Sequence, residues 1–141
     1  MWGSNQDGQL GIKLPDNAQI TEVPTCIPFQ EKILQIACGF SHTLAVDASG
    51  RVWSWGSGMM GKLGLGHDKD AKKPEPVLFG RKGTIDSLPN AHKSVGSAVH
   101  VACGQFTSAA ICELGTVQVL FCWGNNRSGA LGLGDTTPRF D

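Results

Sequence analysis

Two stretches of the chain alternate apolar with polar or small positions in the same way. Residues 36–46 read IACGFSHTLAV and residues 101–111 read VACGQFTSAAI, with Ala-Cys-Gly at the same place in each. A period of two is the mark of a strand that buries one face. Each stretch runs to a glycine, Gly50 or Gly115, and then into RVWSWG or TVQVLFCWG, again alternating and rich in β-branched and aromatic residues. The pattern therefore predicts strand, tight turn, strand, twice over.

Between these pairs lie glycine-rich segments. WSWGSGMMGKLGLG, residues 53–66, contains Gly-x-Gly-x-x-Gly at Gly56, Gly58 and Gly61, and Gly-x-x-x-x-Gly-Lys from Gly56 to Lys62. Taken alone it has the outline of a phosphate-binding loop. Such a loop needs Ser or Thr after the lysine to hold magnesium, and it must open a helix. Here leucine follows Lys62, and Pro74 and Pro76 come soon after.

The segment is instead one of three copies. WGSNQDGQLGIK begins at Trp2, WGSGMMGKLGLG at Trp55 and WGNNRSGALGLG at Trp123. All share Trp, Gly at +1 (Gly3, Gly56, Gly124), Gly at +6 (Gly8, Gly61, Gly129), Leu at +8 (Leu10, Leu63, Leu131) and Gly at +9 (Gly11, Gly64, Gly132). The +3 position reads Asn5, Gly58, Asn126, residue types that tolerate positive φ. Lys62 is replaced by Gln9 and Ala130 in the other copies, so the motif is structural punctuation and not a phosphate cradle.

The tryptophan landmarks divide the chain into units 2–54, 55–122 and a partial 123–141. The second unit is longer, mostly ahead of its Ala-Cys-Gly, which places a loop insertion at about 80–94. Repeats of this length, built from short strands and glycine turns, fit propeller blades better than a helical solenoid. The tryptophans are expected to be blade anchors packed on turn glycines, and Trp53 shares the strand face of Trp55.

Composition agrees with this reading. Nineteen glycines in 141 residues, four tryptophans and no tyrosine favour tight turns around a few large anchors, and long helices are not expected. Formal net charge is zero, so only a local patch can attract a charged partner. Cys26, Cys38, Cys103, Cys112 and Cys122 are odd in number and form no C-x-x-C pair, which predicts buried, reduced thiols and no zinc site. No apolar run approaches 18 residues, so no membrane association is expected, and the location expected is cytoplasmic or nuclear. His67, His92 and His100 lack ligand spacing; no cofactor, metal or catalytic constellation is expected, and the chain reads as a non-enzyme.

The order Trp-Gly-x-Asn/Gly-x-x-Gly-x-Leu-Gly, a proline-containing link, Ala-Cys-Gly-x-x-His-Thr-x-Ala-Val and Gly-x-Val-Trp-x-Trp-Gly closely resembles the repeats of the regulator of chromosome condensation family. WD-repeat blades would close on Trp-Asp, which does not occur. The resemblance implies an all-β fold: propeller blades of four antiparallel strands, usually seven to a ring. At this length the expectation is an incomplete ring of about two to three blades, either a fragment, a truncated product or a subunit that completes its ring with other chains. Open blade edges would then favour self-association.

The resemblance also implies function. The founding activity of the family is guanine-nucleotide exchange on the small GTPase Ran, whereas many members use the propeller as a docking surface beside kinase or ubiquitin-ligase domains. The favoured expectation is a non-catalytic protein-interaction module; the alternative is an exchange factor, or part of one, for a Ran-like GTPase. Another branch senses ultraviolet light through clustered tryptophans, but its Gly-Trp-Arg-His-Thr motif is missing. His42, in Gly39-Phe40-Ser41-His42-Thr43, matches a position that the resemblance places on the GTPase-facing surface, with a hydrogen bond inside its own blade as the competing role. Seven basic residues, Lys62 included, against four acids from Lys62 to Lys93 mark a second candidate contact, at the six that follow Lys62: Lys69, Lys72, Lys73, Arg81, Lys82 and Lys93. Without interleaved aromatics this patch points to a protein partner and away from nucleic acid or chromatin.

Overall fold

The predicted strand pairs form, and each recruits neighbours into a sheet. A computed structural model describes residues 1–79 and 96–140. Its strands are β1 (Gly3–Ser4), β2 (Ile20–Thr21), β3 (Ile33–Cys38), β4 (His42–Asp47), β5 (Val52–Gly56), β6 (Ala71–Pro76), β7 (Ser97–Cys103), β8 (Thr107–Leu114) and β9 (Val117–Gly124). Among the described residues there is no α-helix.

All pairing is antiparallel. The strands β3-β4-β5-β6 make a four-stranded blade, β7-β8-β9 a three-stranded one, and β1-β2 a two-stranded fragment. Beside β9, at the place of the fourth strand of the first blade, the described residues make one bridge, Gly124 to Arg139. That bridge repeats the pairing of Gly56 with Ala71 and of Gly3 with Thr21, so the glycine after each motif tryptophan is where the chain returns to the sheet. Each of these glycines has φ near +105°, a region closed to residues with a Cβ.

Blade and sequence period are out of step. The first full blade runs from Ile33 to Pro76 and so takes its inner strands from one Trp-to-Trp unit and its outer strand from the next. Neighbouring units are thereby tied together by main-chain hydrogen bonds as well as by packing.

The core lies between the blades. Leu44, Val46 and Val52 of the first meet Ala98, Val101, Ala110, Cys112 and Trp123 of the second, with β7 against β3 and β4. The opposite face of the first blade buries Ala45, Trp55, Leu63 and Ala71 beneath Phe29 and Trp53. Every residue of β4 is buried as a result, because this strand is covered on both faces.

Three expectations are revised. Trp2 is 66% exposed, whereas Trp55 and Trp123 are fully buried, each seated on the motif of the preceding repeat. The +3 residues do not take positive φ. The side-chain oxygen of Asn5 accepts from Leu10 N–H and its amide donates to the Ile12 carbonyl, and Asn126 repeats the first bond with Leu131; Gly58 is needed because a Cβ there would strike the Lys69 carbonyl. Of the five free cysteines only Cys112 is fully buried, while Cys26 and Cys38 are exposed.

Candidate functional site

The side chains of the motif are spent on joining blades. Trp55 Nε1 donates to the Gln9 carbonyl at 2.9 Å, and Thr43 Oγ1 donates to the same oxygen at 2.9 Å. One repeat later Trp123 Nε1 donates to the Lys62 carbonyl at 3.0 Å and Ser108 Oγ donates to it at 2.6 Å. In both cases the acceptor lies seven residues after the preceding motif tryptophan and uses both lone pairs. The +9 glycine makes room for the arriving ring: a Cβ on Gly11 would lie 2.8 Å from Trp55 Nε1, and one on Gly64 2.7 Å from Trp123 Nε1. Gln35 adds a further clasp between blades, accepting from Val101 N–H and donating to the Val101 carbonyl.

His42 belongs to this joint. Its Nε2 lies 2.9 Å from Ser108 Oγ, and since that hydroxyl gives its proton to Lys62, the imidazole N–H must be the donor. Burial, reinforced by the Lys62 charge, lowers the His42 pKa to about 4, so the ring is neutral at physiological pH. The imidazole is enclosed, and the hydrogen bond it makes crosses to the next blade instead of closing a turn in its own. Lys62 is also enclosed: its Nζ has no hydrogen-bond partner among the described residues and sits 5.6 Å above the Phe106 ring. Burial pushes its pKa down. An ammonium held there cannot serve as a phosphate ligand, which is the structural counterpart of the repeat argument.

Asp47 organises the β4–β5 turn. Burial alone would raise its pKa, but donors from Ser49, Trp53 and Arg51 hold the carboxyl well below the usual carboxylate range. Burial pushes the Cys103 thiol up to about 12 and Cys112 to about 11, so neither is a nucleophile at neutral pH. No group of three or more potential metal ligands occurs among the described residues, and none of their helices is long and apolar enough to cross a membrane.

The Regulator of chromosome condensation (RCC1) repeat pattern matches residues 1–46 and 49–111, and a second pattern of the same description matches 33–61 and 98–130. The chain belongs to the regulator of chromosome condensation repeat family. It is 34% identical over 139 residues to the human probable E3 ubiquitin-protein ligase HERC6, and 35% identical over 140 residues to the Arabidopsis thaliana ultraviolet-B receptor UVR8. Each match covers 96% of this chain but only 12% and 27% of those relatives. Prp20p from Saccharomyces cerevisiae, described with its binding properties to Gsp1p and histones, superposes with a TM-score of 0.69 over 97% of this chain and 31% of its own, at 24% identity, a likeness that shows the fold. The Trp-to-carbonyl joint is thus the way two RCC1 repeats of this chain are fastened.

On these repeats the basic candidates separate. Lys69 is exposed in the link before β6, and Lys72 and Lys73 are exposed on β6 itself, the edge of its blade. Arg81, Lys82, Lys93 and the insertion at about 80–94 lie outside the described residues. Lys72 and Lys73 join Lys13 and Arg51 around a cleft between the first motif and the four-stranded blade. Lys13 and Arg51 carried no signal in the sequence, because they are far apart in the chain and converge only through packing.

Proposed function

We propose that the chain is a non-catalytic protein-interaction module of RCC1 repeats, in which the repeated side chains fasten blades and the unrepeated ones face a protein partner. One observation carries this reading. The joint residues recur from repeat to repeat, but the exposed residues that follow the paired position differ: Glu22-Val23 just past β2 in one repeat and Lys72-Lys73 on β6 in the next. Individuality at an exposed position on a constant frame is what partner selection requires.

The test is affinity capture from cell extract by the full chain, beside a Gly64→Val variant in which Trp123 cannot seat. A defined partner enriched by the native chain and lost with the variant supports the module. No partner enriched over a heat-denatured control contradicts it.

Nucleotide exchange on a Ran-like GTPase is the second reading, supported by the family and by the likeness to Prp20p. It needs no bond-making chemistry, only a preference for the nucleotide-free GTPase. Enclosure of His42 withdraws its imidazole from any such contact, so the work would fall to other residues. Acceleration of nucleotide release from purified Ran is the outcome that would promote it.

A further inference from the structure

A groove runs along the junction between the first glycine motif and the first full blade. Its larger part, about 520 Å³, has apolar walls from Ile12, Ile27, Phe29, Trp53 and Pro74. A second part of about 300 Å³ continues it past Lys72, and the two share Ile12, Lys13 and Lys73. The larger part alone falls in the size range that takes a sizeable organic ligand or the side chains of a short peptide.

Its charge is lopsided. The acid on the wall, Glu31, lies 3.8 Å from Arg51, which is also bound to Asp47, so these charges answer each other. Lys13, Lys72 and Lys73 have no ion pair among the described residues. Three ammonium groups without an ion pair among the described residues, around an apolar floor on a chain of zero net charge, attract an anionic partner that also carries apolar surface.

The rings on the floor decide between a peptide and a nucleic acid. Trp53 already has the Arg51 guanidinium over its face at 5.4 Å and its indole N–H on Asp47. Phe29 packs edge-on against Trp53 at 5.7 Å and tilted against Trp55 at 6.0 Å. The face of Trp53 is occupied and Phe29 is wedged between two indoles, so neither offers the open platform on which bases stack. Strand addition is also disfavoured, because β6 carries Pro74 and Pro76 with Lys72 and Lys73, a combination that blunts a sheet edge.

We propose that this groove docks an extended acidic segment of a partner protein, which inserts one large apolar side chain beside Phe29 and Ile27 and sets its carboxylates on Lys13, Lys72 and Lys73. The proposal rests on the reading of the chain as an interaction module, and it names the chemistry that one surface of the module selects.

The experiment is fluorescence anisotropy with the full chain and a short labelled peptide of Asp and Glu with one central Phe. Its Phe-to-Ala counterpart, its all-Lys counterpart and single-stranded oligothymidylate are the comparison probes. The acidic Phe peptide is expected to bind, to weaken as salt is raised, and to lose about tenfold in affinity with Lys13→Glu/Lys73→Glu. Both positions are at the surface and leave the Trp55 and Trp123 joints intact, and a circular dichroism spectrum matching the native one confirms the fold. The Ala counterpart is expected to bind more weakly and the Lys counterpart not at all. Equal binding to the native and double-variant chains, no binding to a folded native chain, or preference for oligothymidylate overturns the proposal. If the peptide fails while affinity capture still yields a partner lost with Gly64→Val, the groove is wrong and the module stands; if both fail, the module falls too.

Discussion

Trp123 and Lys62 are 61 residues apart, yet the indole N–H of the first donates to the main-chain carbonyl of the second at 3.0 Å. The same bond joins Trp55 to Gln9, and in each case a blade hydroxyl completes the carbonyl's second lone pair. What recurs is a carbonyl, not a side chain, so glutamine and lysine can both supply the acceptor. The glycine two residues later admits the ring. Several consequences can be measured.

Gly64 and Gly132 share a left-handed backbone, φ +68° and +69°, but only Gly64 faces a ring. Gly132→Ala should cost about 1 kcal/mol, the strain of a Cβ in that region. Gly64→Ala carries the same strain plus displacement of Trp123, about 3 kcal/mol in all. Urea denaturation of both variants isolates the seat from the backbone, and equal losses would remove the seat from the account.

Ser108 links His42 to Lys62. Ser108→Ala leaves the His42 N–H without an acceptor in a buried site, which should cost about 2 kcal/mol. Ser108→Thr should cost less than about 1 kcal/mol, since Thr43 fills the equivalent place in the preceding blade. Thermal unfolding of the two variants checks this order.

The enclosed imidazole sets a pH dependence. His42 has a pKa of about 4 in the fold against 6.5 when exposed, so between those values the unfolded chain binds the extra proton. Stability is therefore full above pH 6.5 and falls as pH drops toward 4, by about 3 kcal/mol for this group. Asp47, held low in the fold, contributes stability throughout this range and loses it only at more acid pH. His42→Gln, which keeps a side-chain N–H for Ser108, should flatten the curve between pH 6.5 and 4. An unchanged curve would show that another group titrates there.

The strand plan, the repeat and the blade architecture were legible because their signals are local. Alternation around Ala-Cys-Gly and the spacing from each tryptophan to its glycines need no knowledge of the rest of the chain. The role of Asn5 and Asn126 was not legible: their amides bridge a loop to main-chain groups several residues on, whereas residue type alone suggested a left-handed turn. Trp2 matches its counterparts in sequence but not in burial, since burial of each tryptophan depends on the motif before it. The groove was half legible. The charge run flagged Lys72 and Lys73, but Lys13, Phe29 and Arg51 reach it from three separate segments.

Lys62 holds a buried ammonium with no hydrogen-bond partner among the described residues, at a position filled by Gln9 and Ala130 in the other repeats. Lys62→Met retains the aliphatic bulk and the carbonyl, and should raise stability by about 1 kcal/mol by removing the cost of burying the charge. It should also raise the His42 pKa, because the Lys62 charge is part of what lowers it. Denaturation and a histidine NMR titration read the two effects; a destabilised variant with an unmoved His42 would contradict both.

β9 pairs with β8 along its length, makes on its other side, among the described residues, the single Gly124–Arg139 bridge, and exposes Val117 and Leu120. An apolar strand edge of this kind invites pairing. Light scattering should show mass rising with concentration, and Leu120→Lys should suppress the rise. A native chain that stays monomeric throughout would contradict the expectation.

The joint between repeats is tested most directly by hydrogen exchange of the four indole N–H groups, followed by NMR on the native chain and on Gly64→Val. The account predicts slow exchange for Trp55, Trp123 and Trp53, fast exchange for Trp2, and selective loss of protection at Trp123 in the variant. Four indoles exchanging alike, or a variant in which Trp123 stays protected, would contradict the claim that Trp55 and Trp123 are each fastened to the repeat before them.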